Sequence, residues 1–405
     1  MGNREPTSGG LSMPSAGTAY DLKPGVPNAS LTEVTKGTPM GEFLRRYWHP
    51  VGVAADATAT PRQIRALGED LILFRDGSGK VGIVHPRCAH RGTSLYYGKV
   101  EARGIRCCYH GWLFDAEGNC LEQPCEPKMG EGTRGKVRQP WYPAAERYGL
   151  IWVYMGPAEK QPLLPRFRLL EELDQGEFLE VNDLSIGGGG PRVVDFNWFQ
   201  HWENVMDPFH VVVLHSTFSG TQFVAEMATM PICDFTTEAL GVRTTSFRAL
   251  DGGKRLRRIT EVQIPTLRVV PSPKLAPGRC QSIGFVLPID DTHFQIYTVG
   301  RVTAEGELAN VRSRQDGKLW EELSDEEHRV FPGDYEAQKG QGDITWHNHE
   351  HLATSDQGIA LLRRFMLRQV KAVQDGKDPV GVAFAPGEEW IDSPAGNWFE
   401  EAPAG

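Results

Sequence analysis

Cys88-Ala89-His90, a spacer of 16 residues, then Cys107-Cys108-Tyr109-His110 is the stretch on which the reading of this 405-residue chain turns. Two thiols and two imidazoles arrive in two short clips, Cys-x-His and Cys-x-x-His. Zinc also accepts two cysteines and two histidines, but its usual clips pair like with like. A [2Fe–2S] cluster with unlike irons pairs them as found here: both thiolates on one iron, both imidazoles on the other. Cys88, His90, Cys107 and His110 are therefore the expected cluster ligands. Gly92 and Gly111 follow the clips, where the backbone is expected to approach the sulfurs closely. Cys108 neighbours a ligand, but Cys107 is the one that fits the spacing.

Outward from the clips, the flanks read as strands: Asp70-Leu71-Ile72-Leu73-Phe74, Val81-Gly82-Ile83-Val84 and Gly149 to Tyr154, with turn signals such as Asp76-Gly77 between them. Residues 36–155 thus form a small all-β domain. It opens with a short helix that Thr38 caps, with Pro39 in the first turn and Met40, Phe43, Leu44 and Tyr47 on one face. Residues 1–35 are an N-terminal arm, flexible or clinging to the surface. Gly156 to Pro165 marks the boundary to a second domain, 156–385, and 386–405 is a tail. Within that domain Gly187 to Gly190 reads as a flexible joint, and Phe196 to His215 starts as a helix. Val242–Arg248, Arg257–Val270, Ser282–Leu287 and His293–Val302 are spaced as an antiparallel meander. Ile359, Leu362, Phe365, Met366, Gln369, Val370 and Val373 trace a helix from about Asp356 to Gln374, ended by Gly376.

Composition narrows the function classes. Lys and Arg number 43 against 52 Asp and Glu, a formal charge of −9. The basic footprint of a nucleic-acid or anionic-lipid binder is missing. No run of about 18 apolar residues exists, so no membrane-spanning helix is expected. No secretory or myristoylation signal is expected at the start. Seven cysteines are an odd number for a disulfide framework, so a reducing cytoplasm is expected. Cys120, Cys125, Cys233 and Cys280 read as packing residues. No dinucleotide fingerprint is present, so nicotinamide or flavin chemistry has to come from another protein.

A second constellation is Asn204-Val205-Met206-Asp207-Pro208-Phe209-His210 and, after four more residues, His215. Two imidazoles five positions apart on a helix are expected near one face. They supply two corners of a 2-His-1-carboxylate set, which leaves positions on non-haem Fe(II) open for O2. Three aspartates compete for the third corner: Asp334, Asp343 and Asp356. Asp356, after Ser355, reads as a helix N-terminal residue, and Asp343, after Gly342, as part of a turn. His347-Asn348-His349-Glu350-His351 tempts as a further cluster, but nothing nearby completes a site, so it reads as a solvated loop. His201 and Trp202 lie close enough in sequence to shape the surroundings of the iron.

Both motifs together, in this order, resemble the large oxygenase component of the Rieske non-haem iron aromatic-ring-hydroxylating oxygenases, over roughly residues 36 to 375. That family shares Cys-x-His…Cys-x-x-His-Gly-Trp, which here ends in His110-Gly111-Trp112. It also shares Asn-Trp, here Asn197-Trp198, followed by Asn-x2-Asp-x2-His-x4-His, here Asn204 to His215. Gly37-Thr38-Pro39-Met40-Gly41 and Arg45-Arg46-Tyr47-Trp48 are similar to the phthalate dioxygenase branch. Thr93 and Tyr109 stand where quinol-oxidising Rieske proteins carry an extra cysteine pair, and Cys108 replaces the usual Pro. The resemblance implies an α+β fold: a small all-β Rieske [2Fe–2S] domain plus a catalytic domain with an antiparallel sheet and helices, of helix-grip type. It also implies Asp334 as third iron ligand, from Asp334-Tyr335-Glu336-Ala337-Gln338 followed by Glu350 to Asp356, although Gly333 replaces the Gln often seen before it.

The same resemblance implies an activity. The cluster passes single electrons, and the mononuclear iron uses them with O2 to hydroxylate or oxidatively O-demethylate an aromatic, carboxylated small molecule. The electrons come from an NAD(P)H-dependent reductase, with or without a ferredoxin. In the family they cross between the subunits of a trimer. Asp207 is then the bridge from His210 to the neighbour's match to His110, and Asn204 sits beside the iron. Two other readings stand beside it: a Rieske-type electron carrier, for which about 100 residues suffice, so that the roughly 250 further residues with the second histidine pair speak against it, and a biosynthetic Rieske oxygenase acting on a non-aromatic substrate with the same residues.

Overall fold

Alternation along one strand explains how the two halves of the chain join in this computed structural model, which describes residues 19–218, 220–308 and 318–402. The strand Glu69–Arg75 is buried from Leu71 to Phe74. Successive side chains point to opposite faces. Leu71 and Leu73 therefore enter a large core shared with the C-terminal half, while Ile72 and Phe74 enter a separate small one. On the neighbouring strand Val81–Val84, Ile83 and Val84 divide in the same way. The small core also takes Cys88, Leu95, Ile105, Cys107, Phe114 and Cys120. Its frame is two four-stranded sheets, and one of them (Lys99–Glu101, Gly104–Arg106, Leu113–Phe114, Cys120–Glu122) has strands just long enough to hold the loops between them. The helix Pro39–Leu44 is capped as expected, with the Thr38 hydroxyl accepting from the Gly41 N–H at 3.1 Å.

The larger sheet runs, in spatial order, Phe178–Asn182, His293–Val302, Ser282–Asp290, Leu267–Val269, Lys254–Gln263, Gly241–Leu250 and Ile232–Thr237, with antiparallel neighbours throughout. The run expected as one strand from Arg257 to Val270 is two, because a turn at 264–266 holds Pro265, which has no N–H for the ladder. Gly396–Glu401, expected in a tail, is a strand paired with Lys254–Ile259. The helix Gln357–Gln374 buries Leu362, Phe365, Met366, Val370 and Val373, against Ile232–Thr237 and Gly241–Leu250. It ends with Gly376 at φ +75°, whose N–H donates to Val373 O, while Lys377 N–H donates to Ala372 O; this is the Schellman pattern. A sheet gripping a helix beside a small all-β unit is the expected α+β class.

Two local expectations change. The tetraglycine is no open joint: Ile186, Gly187 and Gly188 turn tightly at φ +52°, +61° and +79°. Ser185 pins this turn, its hydroxyl accepting from Ile296 N–H and donating to Arg192 O. The stretch His347 to His351 is solvated at Asn348 and His351 as expected, but its 3-10 turn His347–His349 also clamps the arm. Asn28 N–H donates to His347 Nδ1 at 3.0 Å, Val26 N–H to Asn348 Oδ1 at 2.6 Å, and His349 Nε2 to Lys23 O at 2.8 Å. Gly25 lies so flat on Trp346 that a Cβ would stand 2.0 Å from the ring. From Lys23 onward, then, the arm clings; residues 1–18 of it lie outside the described residues.

Candidate functional site

The two clips are the same loop built twice. In the first, Cys88 N–H donates to Thr93 O at 2.9 Å and Gly92 N–H to Cys88 O at 2.8 Å. In the second, Cys107 N–H donates to Trp112 O at 2.9 Å and Gly111 N–H to Cys107 O at 3.1 Å. The glycine four places after each cysteine has φ +79° or +70°, which other residues resist. That conformation explains Gly92, not the close approach to sulfur expected from the sequence, since a Cβ there meets nothing within 4 Å.

The thiols of Cys88 and Cys107 face each other without a disulfide. Burial pushes the Cys88 thiol up to about 12, against the N–H groups of His90 and Arg91 that point at it. The His90 and His110 rings lie 4.6 Å apart, and His90 stacks on Trp112 at 4.3 Å. His110 Nδ1 is buried with no hydrogen-bond partner, which costs about 1–3 kcal/mol unless something ligates it. Two facing thiols, two adjacent imidazoles and an orphaned nitrogen fit a [2Fe–2S] group. Cys108 turns to solvent. Behind the first clip, buried Gln139 accepts from Ala89 N–H at 2.7 Å and donates to His85 O and Arg87 O at 2.8 and 3.0 Å. Behind the second, Arg106 ties Gly111 O to Glu101 and Glu122.

The second constellation begins on the helix Trp198–Asn204, which Asn197 caps by accepting from Phe199 N–H. After Pro208 the chain makes an α turn, His210–Val212, that widens into a π-helix over Val213–Phe218. The widening matters. On an α-helix residues five apart are about 140° apart around the axis, so the shared face expected from sequence would not form. A π turn closes residue i onto i+5, and the two rings meet with centroids 5.4 Å apart.

Both imidazoles present Nε2 to Asp334 Oδ1, His210 at 3.5 Å and His215 at 3.2 Å. Asn204 Nδ2 donates to the same oxygen at 3.2 Å. On the far side, His215 Nδ1 is 2.8 Å from Gln222 Oε1 and His210 Nδ1 is 3.4 Å from Asp207 Oδ2. Each Nδ1 thus faces an oxygen on the far side, His215 within hydrogen-bond reach and His210 only in a long contact, while both Nε2 atoms point to where the three donors converge. Burial pulls the His210 imidazole down, but the Asp207 and Asp334 carboxylates lift it to about 10. Burial pushes Asp334 up, and His215 and His210 override it, holding it well below the usual carboxylate range. The site calls for positive charge where these atoms converge, all within 4.8 Å of one another, and a divalent ion satisfies all three donors at once. Asp207 also accepts from Phe209 N–H at 2.9 Å and His210 N–H at 3.3 Å, which shapes the turn carrying His210.

Asp334 opens the helix Asp334–Lys339. Of its rivals, Asp343 is in an exposed turn, 2.7 Å from Lys339 Nζ, and Asp356 accepts from Ala353 N–H at 2.7 Å without capping the long helix; neither meets the histidines. Gln338 Oε1 faces His201 Nδ1 at 3.0 Å, and Arg268 donates to His201 Nε2 at 3.1 Å. Arginine only donates, so Nδ1 carries the proton, and burial with Arg268 lowers His201 to about 3. Trp202 donates to Leu267 O and supports the helix from behind. Sequence reading missed Gln139, Gln222 and Gln338. Gln139 and Gln222 lie in no motif, Gln338 stood only as part of the segment that marks Asp334, and the partner of Gln222 is evident only once the π turn has placed His215. A cavity of about 150 Å³ opens on the triad, with Val211, Phe223 and Met227 as apolar wall and the large sheet as polar wall.

Residues 47–142 match the Rieske [2Fe-2S] domain family. The chain is 50% identical over 392 residues to the phenoxybenzoate dioxygenase subunit alpha of Ectopseudomonas oleovorans, covering 95% of this chain and 94% of that one. It is 36% identical over 416 residues to the tert-butanol monooxygenase / tert-amyl alcohol desaturase oxygenase subunit of Aquincola tertiaricarbonis, covering 94% and 85%. In fold it is similar to the solved structure of Pseudomonas putida CBB5 NdmA with caffeine, with a TM-score of 0.62 at 20% identity over 84% of this chain and 94% of that one. Among the described residues no helix is long and apolar enough to cross a membrane. With a Rieske [2Fe–2S] domain, and in a family whose members carry a mononuclear iron at the catalytic site, the chain belongs to the Rieske non-haem iron oxygenases, as an oxygenase subunit of the phthalate dioxygenase-like branch.

Proposed function

We propose that this subunit is a terminal oxygenase that hydroxylates or oxidatively O-demethylates an aromatic, carboxylated small molecule with O2. An NAD(P)H-dependent reductase feeds it in the cytoplasm, directly or through a ferredoxin. The observation that carries this reading is the convergence of His210 Nε2, His215 Nε2 and Asp334 Oδ1 at the wall of a cavity. The 50% identical relative, named for an aromatic acid, supports the substrate class. Cys88, His90, Cys107 and His110 would hold the [2Fe–2S] group, and His210, His215 and Asp334 the iron. When bound, the cluster supplies electrons singly and the iron supplies activation of O2. The protein's own part is positional. Gln222 orients the His215 ring through Nδ1, the Asp207 carboxylate stands 3.4 Å from His210 Nδ1, and Asn204 steadies Asp334. Val211, Phe223 and Met227 give an aromatic ring an apolar wall. In a homotrimer, Asp207 links His210 of one copy to His110 of the next.

Oxygen and NADH uptake with benzoates, phthalates, phenoxybenzoates and methoxybenzoates tests the reading, with iron counted on the same preparation. The expected result is three irons per chain, by the ligand sets of a [2Fe–2S] cluster and one mononuclear site, about two plus one, and uptake coupled to product from an aromatic acid. Only the cluster's iron, with no uptake, would make the protein an electron carrier. Uptake with branched alcohols alone, the class in the name of the 36% identical relative, would move the substrate away from aromatics.

A further inference from the structure

Among the described residues, the sheet wall of the cavity carries two buried arginines that no carboxylate pairs. Thr244, Ser246 and Arg248 line it from Gly241–Leu250, two positions apart and so on one face. Thr260 and Arg258 answer from Lys254–Gln263, paired with Thr244 and Ser246. Arg248 is 1% exposed, yet makes only one firm bond, Nη1 to Ser246 Oγ at 3.1 Å, and a long one, Nη2 to Pro208 O at 3.4 Å. Its Nε is buried without a partner. Arg258 donates to Pro271 O, Ser272 O and Asn397 Oδ1, all neutral acceptors. Elsewhere the fold pairs its buried arginines, Arg45 with Glu69 and Arg301 with Glu177. Among the described residues the two buried guanidiniums without a carboxylate both line this cavity. Burial lowers both, and Arg248 repels Arg258 as well, leaving it at about 10.

Burying an unpaired charge costs several kcal/mol, a cost that a ligand's opposite charge removes. We infer that Arg248, backed by Ser246 and the adjacent charge of Arg258, binds the substrate's carboxylate, so that an aromatic acid is anchored at the sheet wall of the cavity that His210, His215 and Asp334 also line. This deepens the oxygenase reading and rests on it. The Nε–H and a neighbouring Nη–H lie in one plane, the fork that grips both carboxylate oxygens. An amide or ester of the same ring offers no charge to this fork. Phe223 and Met227 would then meet the ring, not the charge.

Calorimetric titration of the holoenzyme with benzoate, benzamide and benzenesulfonate tests the inference without turnover. Benzoate should bind roughly 10- to 100-fold more tightly than benzamide, as charge-assisted hydrogen bonds warrant. Arg248→Met should erase that ratio and Arg248→Lys keep part of it. Arg248→Met should also raise the Tm of the ligand-free protein, because an unpaired buried charge is gone; a purely structural arginine would lower it. Equal affinity of the wild type for benzoate and benzamide overturns the inference. So does a benzoate preference that survives in Arg248→Met, or benzenesulfonate binding no tighter than benzamide. If the benzoate preference holds but no aromatic acid is oxidised, the reaction is wrong and the anion site stands.

Discussion

At the cluster end of the molecule all four expected ligands lie between Cys88 and His110, and backbone hydrogen bonds of two equivalent loops aim them. At the iron end Asp334 stands 119 residues beyond His215, and side chains (Asp207, Gln222, Asn204) do the aiming. A backbone-held site yields when the loop is disturbed, directly or through a side chain such as Gln139 that ties it down. A site held by side chains can be detuned one substitution at a time. The first suits a group that has only to pass electrons, the second one whose surroundings set the reaction.

The largest expected effect separates the two ends outright. Asp334→Ala should lose the mononuclear iron and all product while the visible spectrum of the cluster stays, since no clip residue touches Asp334. Loss of that spectrum as well would show that the ends are not independent. Asp207→Asn comes next. Asn keeps an oxygen for the Phe209 and His210 N–H groups, so the turn is preserved and only the charge is lost. Iron and cluster should remain and product should fall roughly 100-fold. In stopped-flow, a pre-reduced cluster should stay reduced when substrate and O2 are added; reoxidation at the wild-type rate would take Asp207 off the electron path.

A matched pair of substitutions sharpens the contrast. Gln222→Leu should weaken iron binding roughly 10- to 100-fold through the freed His215 ring, without touching the cluster, as iron content after dialysis against a chelator will show. Gln139→Leu should do the reverse. It strands the Ala89 N–H and two carbonyls at about 1–3 kcal/mol for each buried group left unmatched, so cluster loss should quicken while triad iron holds. Equal effects at both ends would erase the distinction.

The smallest effect is at the seam. His49, fully buried on Trp48–Val53, donates from Nε2 to Leu44 O at 2.8 Å, and burial holds its imidazole down at about 4. The unfolded chain takes up that proton near 6.5, so between about 6.5 and 4 the unfolded state binds more protons and stability falls as pH drops. By pH 4.5 the loss is about 2–3 kcal/mol. His49→Gln keeps the N–H donor, and its Tm should fall less on acidification. An unchanged acid profile would assign the sensitivity to another group.

Much of this was legible in adjacent residues. The clip spacing announces paired loops, the run Leu71 to Phe74 a strand covered on both faces, and the apolar period from Ile359 to Val373 the long helix. Each is a property of neighbours along the chain, which hydrophobic periodicity and loop geometry report directly. The third aspartate was less legible, because Asp334, Asp343 and Asp356 look alike until a fold says which one meets two histidines.

Other features had no local sign at all: the π turn that brings His210 and His215 together, the glutamines behind each centre, and the clamp of His347–His349 on the arm. The same holds for the difference between Arg45, which has a carboxylate, and Arg248, which has none. The sequence by itself determined which elements form and which residues bear chemistry, because those follow from propensity and spacing. Only the tertiary structure decided who stands opposite whom, because hydrogen bonds and charge pairs are made across space between segments that share no sequence neighbourhood.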